Sequence, residues 1–161
     1  MTRFPQPASG AIDGSLHRYP LRVFYEDTDA GGVVYHANYL RWLERARSDL
    51  LDMLGIDQRA ALEAGVGHYA VAEVTIRYLA PARLGDTAIV ETAALQIGRV
   101  RCTLAQTVWC DGVRLAEATV KVGFIGPDGR PRRQPDAWLR AFTAFASQSE
   151  TGAAAAQEGS E

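Results

Sequence analysis

The chain has 161 residues, 47% of them hydrophobic and 22% charged, the composition of one ordinary globular domain with enough residues to bury a sizeable core. Its 17 Lys and Arg against 19 Asp and Glu leave a net charge of −2, which excludes the strong basic excess that bulk nucleic-acid binding needs. No apolar run reaches membrane-span length and Met1–Leu16 holds no apolar core of signal-peptide length, so no transmembrane segment and a cytoplasmic location are expected.

Residues 1–18, with Pro5, Pro7, Gly10 and Gly14, read as a flexible leader. From Tyr19 to Asp27 the pattern alternates as a strand with Leu21, Val23 and Tyr25 on one face. Asn38 to Leu54 carries the strongest helical period, through Tyr39, Leu43, Ala46, Leu50 and Met53 or Leu54. Arg45 and Asp49, four apart on its other side, are spaced to pair. Gly55 stops this helix, and Asp57 caps a short second one that ends at Gly65.

After Gly67 the period falls to two. Val74, Ile76 and Tyr78 form one strand face, and a second strand runs from Thr87 to Ile97 beyond a turn at Pro81 and Gly85-Asp86. Val100, Cys102, Leu104, Val108 and Cys110 mark a third strand. The two cysteines on it would stand roughly 27 Å apart, too far for a disulfide, and read as small buried hydrophobes. Asp111-Gly112 between two alternating runs predicts a hairpin. Ala116, Ala118, Val120, Val122 and Phe124 line the last strand, which Pro127-Asp128-Gly129 ends. A terminal helix is expected over Pro135–Phe145. Residues 147–161, rich in Ala, Ser, Gly and Glu, read as a disordered tail. The expected fold is α+β, an antiparallel sheet of about five strands against one long helix. A sheet of that kind leaves an open face and open edges, which a second subunit would cover.

The chemistry gathers at Glu26-Asp27-Thr28-Asp29-Ala30-Gly31-Gly32, just before the long helix. An acid in a turn there sits beside free backbone N–H groups and the positive end of a helix dipole. A calcium loop would need oxygen ligands where Gly31 and Asn38 stand, and His17, His36 and His68 are scattered, so neither metal nor cofactor is expected. From the residues alone, Asp29 is either a turn-forming or capping aspartate or a catalytic carboxylate. His36 is a structural or a reacting histidine, and Tyr25 and Tyr35 are core or rim aromatics.

The run Arg22–Tyr39, the following Glu44-Arg45-Ala46-Arg47 and the later Tyr78–Asp86 resemble the hotdog-fold acyl-CoA thioesterases. The similarity is closest to the YbgC-type, Tol–Pal-associated branch of the 4-hydroxybenzoyl-CoA thioesterase family. It covers residues 19–124 and a little more, and the domain is placed at 19–146. The resemblance implies a curved sheet wrapping a central helix, assembly as a homodimer or homotetramer, and an active site at the subunit boundary. It also implies hydrolysis of an acyl-CoA thioester, with Asp29 as the catalytic carboxylate, nucleophile or general base. The implied oxyanion donor is a backbone N–H at or next to His36. His36 and Tyr25 are candidates for positioning substrate or water, and Gly31 and Gly32 for letting the backbone approach the thioester. Two alternatives accompany this reading. One is hydrolysis from an acyl carrier protein. The other is a binding role among cell-envelope or phospholipid-synthesis proteins with weak hydrolysis.

Overall fold

The structure, a computed structural model, describes residues 3–155. Six antiparallel strands form one sheet: β1 (Ala11–Asp13), β2 (Leu16–Arg22), β3 (His68–Tyr78), β4 (Thr87–Ile97), β5 (Arg101–Cys110) and β6 (Val113–Ile125). The helices are α1 (His36–Met53), α2 (Gln58–Glu63) and α3 (Asp136–Ala155). Among the described residues, no helix is long and apolar enough to cross a membrane.

The sheet order is β1-β2-β4-β5-β6-β3. β4, β5 and β6 are a plain meander. The β5–β6 hairpin turns on Asp111 and Gly112, whose φ of 47° and 78° suit the right-handed twist of the flanking strands. β3 does not pair with β4, its neighbour in sequence, but with β6 at the far edge. The connection over residues 79–86 therefore crosses from one sheet edge to the interior, and on the way it meets the start of α1. Val34 N–H donates to Ala82 O at 2.9 Å, and Ala82 N–H donates to the Tyr39 hydroxyl at 3.1 Å.

The apolar stripe of α1 explains its burial. Tyr39, Trp42, Leu43 and Ala46 pack with Val90, Cys102, Val108, Ala118 and Val120 from the sheet. The last turns of α1 form a second cluster, in which Leu50, Leu51 and Ile56 meet Phe142 and Phe145 of α3. Burial of Cys102 fits the reading of a small hydrophobe, whereas Cys110 is only half-buried at the strand end. The same inward row of β5 includes Gln106, an amide among apolar side chains. It is satisfied there, donating to Leu43 O and Thr92 Oγ1 and accepting from Arg47.

Four expectations are corrected. Residues 11–18 are not a loose leader, because Ala11–Asp13 pairs with Leu16–Arg18 around Gly14, which adds the sixth strand. The strand expected over Tyr19–Asp27 ends at Arg22, and Tyr25–Asp27 is a single 3₁₀ turn, because Asp27 folds back to bond the Phe24 N–H. Asp49 does not pair with Arg45; it accepts from His17 Nε2, Gly10 N–H and Ser9 Oγ at 2.7 to 2.9 Å. The helix expected over Pro135–Phe145 runs on to Ala155, into the stretch read as a disordered tail; residues 156–161 lie outside the described residues.

Candidate active site

Asp27 builds the turn on which the site stands. It is buried, with Oδ2 accepting from Phe24 N–H at 2.7 Å and Oδ1 from Asn38 Nδ2 at 2.6 Å, while its carbonyl accepts from Tyr35 N–H at 2.8 Å. One carboxylate thus ties the 3₁₀ turn to the first turn of α1. Thr28 bridges to Val34, and Val33 bridges to Arg83 in the crossover.

Asp29 sits outside that frame, exposed, at the tip of the same loop. Its Oδ1 accepts from Gly31 N–H at 2.7 Å, and its backbone closes the loop with Val33 and Gly32. Its Oδ2 has no hydrogen-bond partner among the described residues, which leaves one carboxylate oxygen for a ligand. A Cβ on Gly31 would lie 3.1 Å from Oδ1, so the glycine keeps space at the carboxylate. Gly32 has a φ of +78°, and its task is the left-handed turn that returns the chain to α1.

α1 starts at His36 with Tyr35 as its cap residue, and no side chain bonds the free N–H groups of its first turn. Asp29, Val33, Val34, His36, Tyr39, Tyr78, Leu79, Ala80 and Pro81 line one open cleft at this end of the helix. The structure therefore brings Asp29 and His36 together. Tyr25, 82% exposed, and Gly32 lie outside the cleft lining in the single chain. Tyr39 and Tyr78 were not among the predicted site residues. Tyr78 donates from its hydroxyl to His36 O at 2.8 Å and stands edge-on to the His36 ring at 6.3 Å. The signal that could have found it is the residues just after it, Leu79-Ala80-Pro81, which form the opposite wall.

No grouping of His, Cys, Asp and Glu able to hold a metal occurs among the described residues. A second cavity lies farther along α1, against the β3 end opposite Tyr78. It is lined by Leu50, Leu51, Val71, Leu104 and Phe142, with Arg47 among its polar residues, and contains none of the predicted site residues.

The cleft combines a carboxylate with an open oxygen, an uncapped helix N-terminus and apolar walls. That set can polarise a carbonyl and attack it, or activate water against it. A family model described as the thioesterase-like superfamily matches residues 23–143. The acyl-CoA thioester hydrolase YbgC of Escherichia coli O6:H1 is 37% identical over 133 residues, covering 81% of this chain and 98% of that protein. The acyl-CoA thioesterase YbgC of Haemophilus influenzae is 40% identical over 107 residues, 66% of this chain and 79% of its own. Among solved structures, a probable thioesterase from Bartonella henselae superposes with a TM-score of 0.71 at 31% identity, over 74% of this chain and 99% of that one.

Proposed function

The chain belongs to the thioesterase-like superfamily and has the hotdog fold, and from that premise we propose an acyl-CoA thioester hydrolase that works through Asp29. One observation carries the residue assignment: the free oxygen of Asp29 and the uncapped start of α1 share a cleft.

The thioester carbonyl oxygen points at the first-turn N–H groups of α1, which stabilise the negative charge that develops on it; one such donor is worth roughly 2.7–4 kcal/mol of barrier. Asp29 then attacks the carbonyl carbon or takes a proton from a water that attacks it. The C–S bond breaks and the thiolate of CoA leaves and takes up a proton; where Asp29 attacks, the acyl–Asp29 anhydride so formed is then cleaved by water, and on either route the acyl group departs as the free acid. A thiolate leaves readily, so the cleft needs no dedicated acid. His36 lines the cleft and positions substrate or water. Tyr25 belongs to the rim, and Gly32 acts through the turn it permits.

The assembly in this reading is a cytoplasmic homodimer or homotetramer. β3 is an edge strand of 11 residues, and two copies joined antiparallel along it set the Tyr78 end of one strand beside the His68 end of the other. The Asp29 cleft of one subunit then faces the partner's apolar cavity, which supplies a seat for the acyl chain.

The test is thiol release from short, long and aromatic acyl-CoA thioesters and from an acyl carrier protein thioester, the alternative substrate. Hydrolysis by the unaltered protein, reduced at least a hundredfold in a folded Asp29→Asn variant, is the expected result. Equal rates in the two proteins would remove Asp29 from the mechanism.

A further inference from the structure

The second cavity, the seat of the acyl chain in the assembly proposed above, takes one wall from outside the sheet and α1. Exposed Glu44 and Val71 mark its open side, and buried Leu50, Leu104, Val122 and Phe142 form its inner side. Phe142 comes from α3, the helix added after the last strand. It packs with Leu50, Leu51 and Ile56, and its ring stands edge-on to Tyr69 at 6.2 Å; the Tyr69 hydroxyl in turn donates to Gln134. The cavity volume is about 70 Å³, room for roughly five to seven water-sized groups. A methylene is of about that size, so a tail fills the cavity at a finite length, and each further methylene must push aside a packed side chain.

We propose that Phe142 sets the chain-length limit of the reaction: its ring is the floor on which the end of an aliphatic acyl chain stops. The buried residues of the lining carry no polar side-chain atom, so the floor suits methylenes and offers a polar tail no partner. This inference rests on the thioesterase reading and on the β3 junction. Tyr69 and Val71, one and three residues beyond His68, line the cavity, while Tyr78 at the other end of β3 lines the Asp29 cleft. With two β3 strands antiparallel, the partner's His68 lies beside Tyr78, and about 3–10 Å of strand separates the cleft from the cavity wall. Phe145 supplies the control. It is as buried as Phe142 and belongs to the same apolar cluster, but it faces Ile12, Met53 and Leu54 and does not line the cavity.

The test measures kcat/KM for thiol release from straight-chain acyl-CoA thioesters of about four to sixteen carbons. It compares the unaltered protein with Phe142→Leu, Phe142→Trp and Phe145→Leu, each checked by circular dichroism. Leucine keeps the site apolar and shortens the side chain, so in Phe142→Leu the preferred chain should lengthen by about two carbons. Each seated methylene is worth about fourfold, so kcat/KM for that longer chain should rise about fifteenfold. Phe142→Trp raises the floor and should move the preference to shorter chains. Phe145→Leu should leave the profile within about twofold at every length. The proposal is overturned if neither Phe142 variant moves the preferred length, if Phe145→Leu moves it as far, or if the unaltered protein shows no preference. Any of these alongside an inactive Asp29→Asn variant rejects this inference and leaves the thioesterase reading standing. No turnover of any thioester by the unaltered protein rejects both.

Discussion

Asp27 and Asp29 are separated by one residue, Thr28, and do opposite work. Asp27 is a buried acceptor of two hydrogen bonds, whereas Asp29 is exposed with one oxygen open. Replacing Asp27 by Ala strands the Phe24 N–H and the Asn38 amide, and each polar group left without a partner costs about 1–3 kcal/mol. Asp27→Ala should therefore lower the urea midpoint clearly. Asp29→Asn should leave stability within about 0.5 kcal/mol and abolish hydrolysis. Parallel denaturation and thiol-release measurements on the two variants would show this crossed pattern; a matching pair of profiles would mean that the two acids share one role. The position of both acids was legible because two glycines and a helical period follow them. The orientation of Asp27 toward Asn38, eleven residues on, is set by the docking of α1.

At the scale of elements, the N-terminal segment is tied to α1 through Asp49. Burial pushes the Asp49 carboxyl up, but the bonds from His17, Gly10 and Ser9 outweigh it and hold the group below its ordinary 3.8. A carboxyl lowered on folding contributes stability above its unfolded value and loses it as the pH falls through the folded one. Acid titration of the fold should thus show a component lost below pH 3.8, and Asp49→Asn should remove that component. An unchanged acid profile in the variant would show that the tether carries no linkage. The sequence could not reveal this tether. The bonding partners of Asp49 lie 32 to 40 residues away, while Arg45 stood at helical spacing. Local signals served well where local forces decide, as at the Asp111-Gly112 hairpin, the Asp57 cap and the apolar stripe of α1. They failed where the sheet decides. Alternation identifies β3 and β4 as strands but is silent on their being separated by β5 and β6. It is equally silent on Gln106, which occupies an inward position because three hydrogen bonds satisfy it.

For the whole molecule, the open flank is β3. Val71 on this edge is 49% exposed, and Tyr78 at its end is 45% exposed. In the assembly proposed above, Val71→Asp places a charge in the strand junction. Light scattering should then report the mass of a smaller species, and thiol release should fall while the circular dichroism of the domain is kept. Retention of the parent mass would place the junction elsewhere. The separation of β3 from its sequence neighbour has a consequence for synthesis on the ribosome. α1 is complete at Met53, but β2 has only the three-residue β1 as a partner until β4 ends at Ile97, and β3 has none until β6 ends at Ile125. At about 5–20 residues per second, the 72 residues between Met53 and Ile125 take roughly 4–14 s. Through that interval Trp42, Leu43 and Leu50 emerge with no sheet to cover them, which makes the central helix of the finished protein the segment that a holding chaperone meets first.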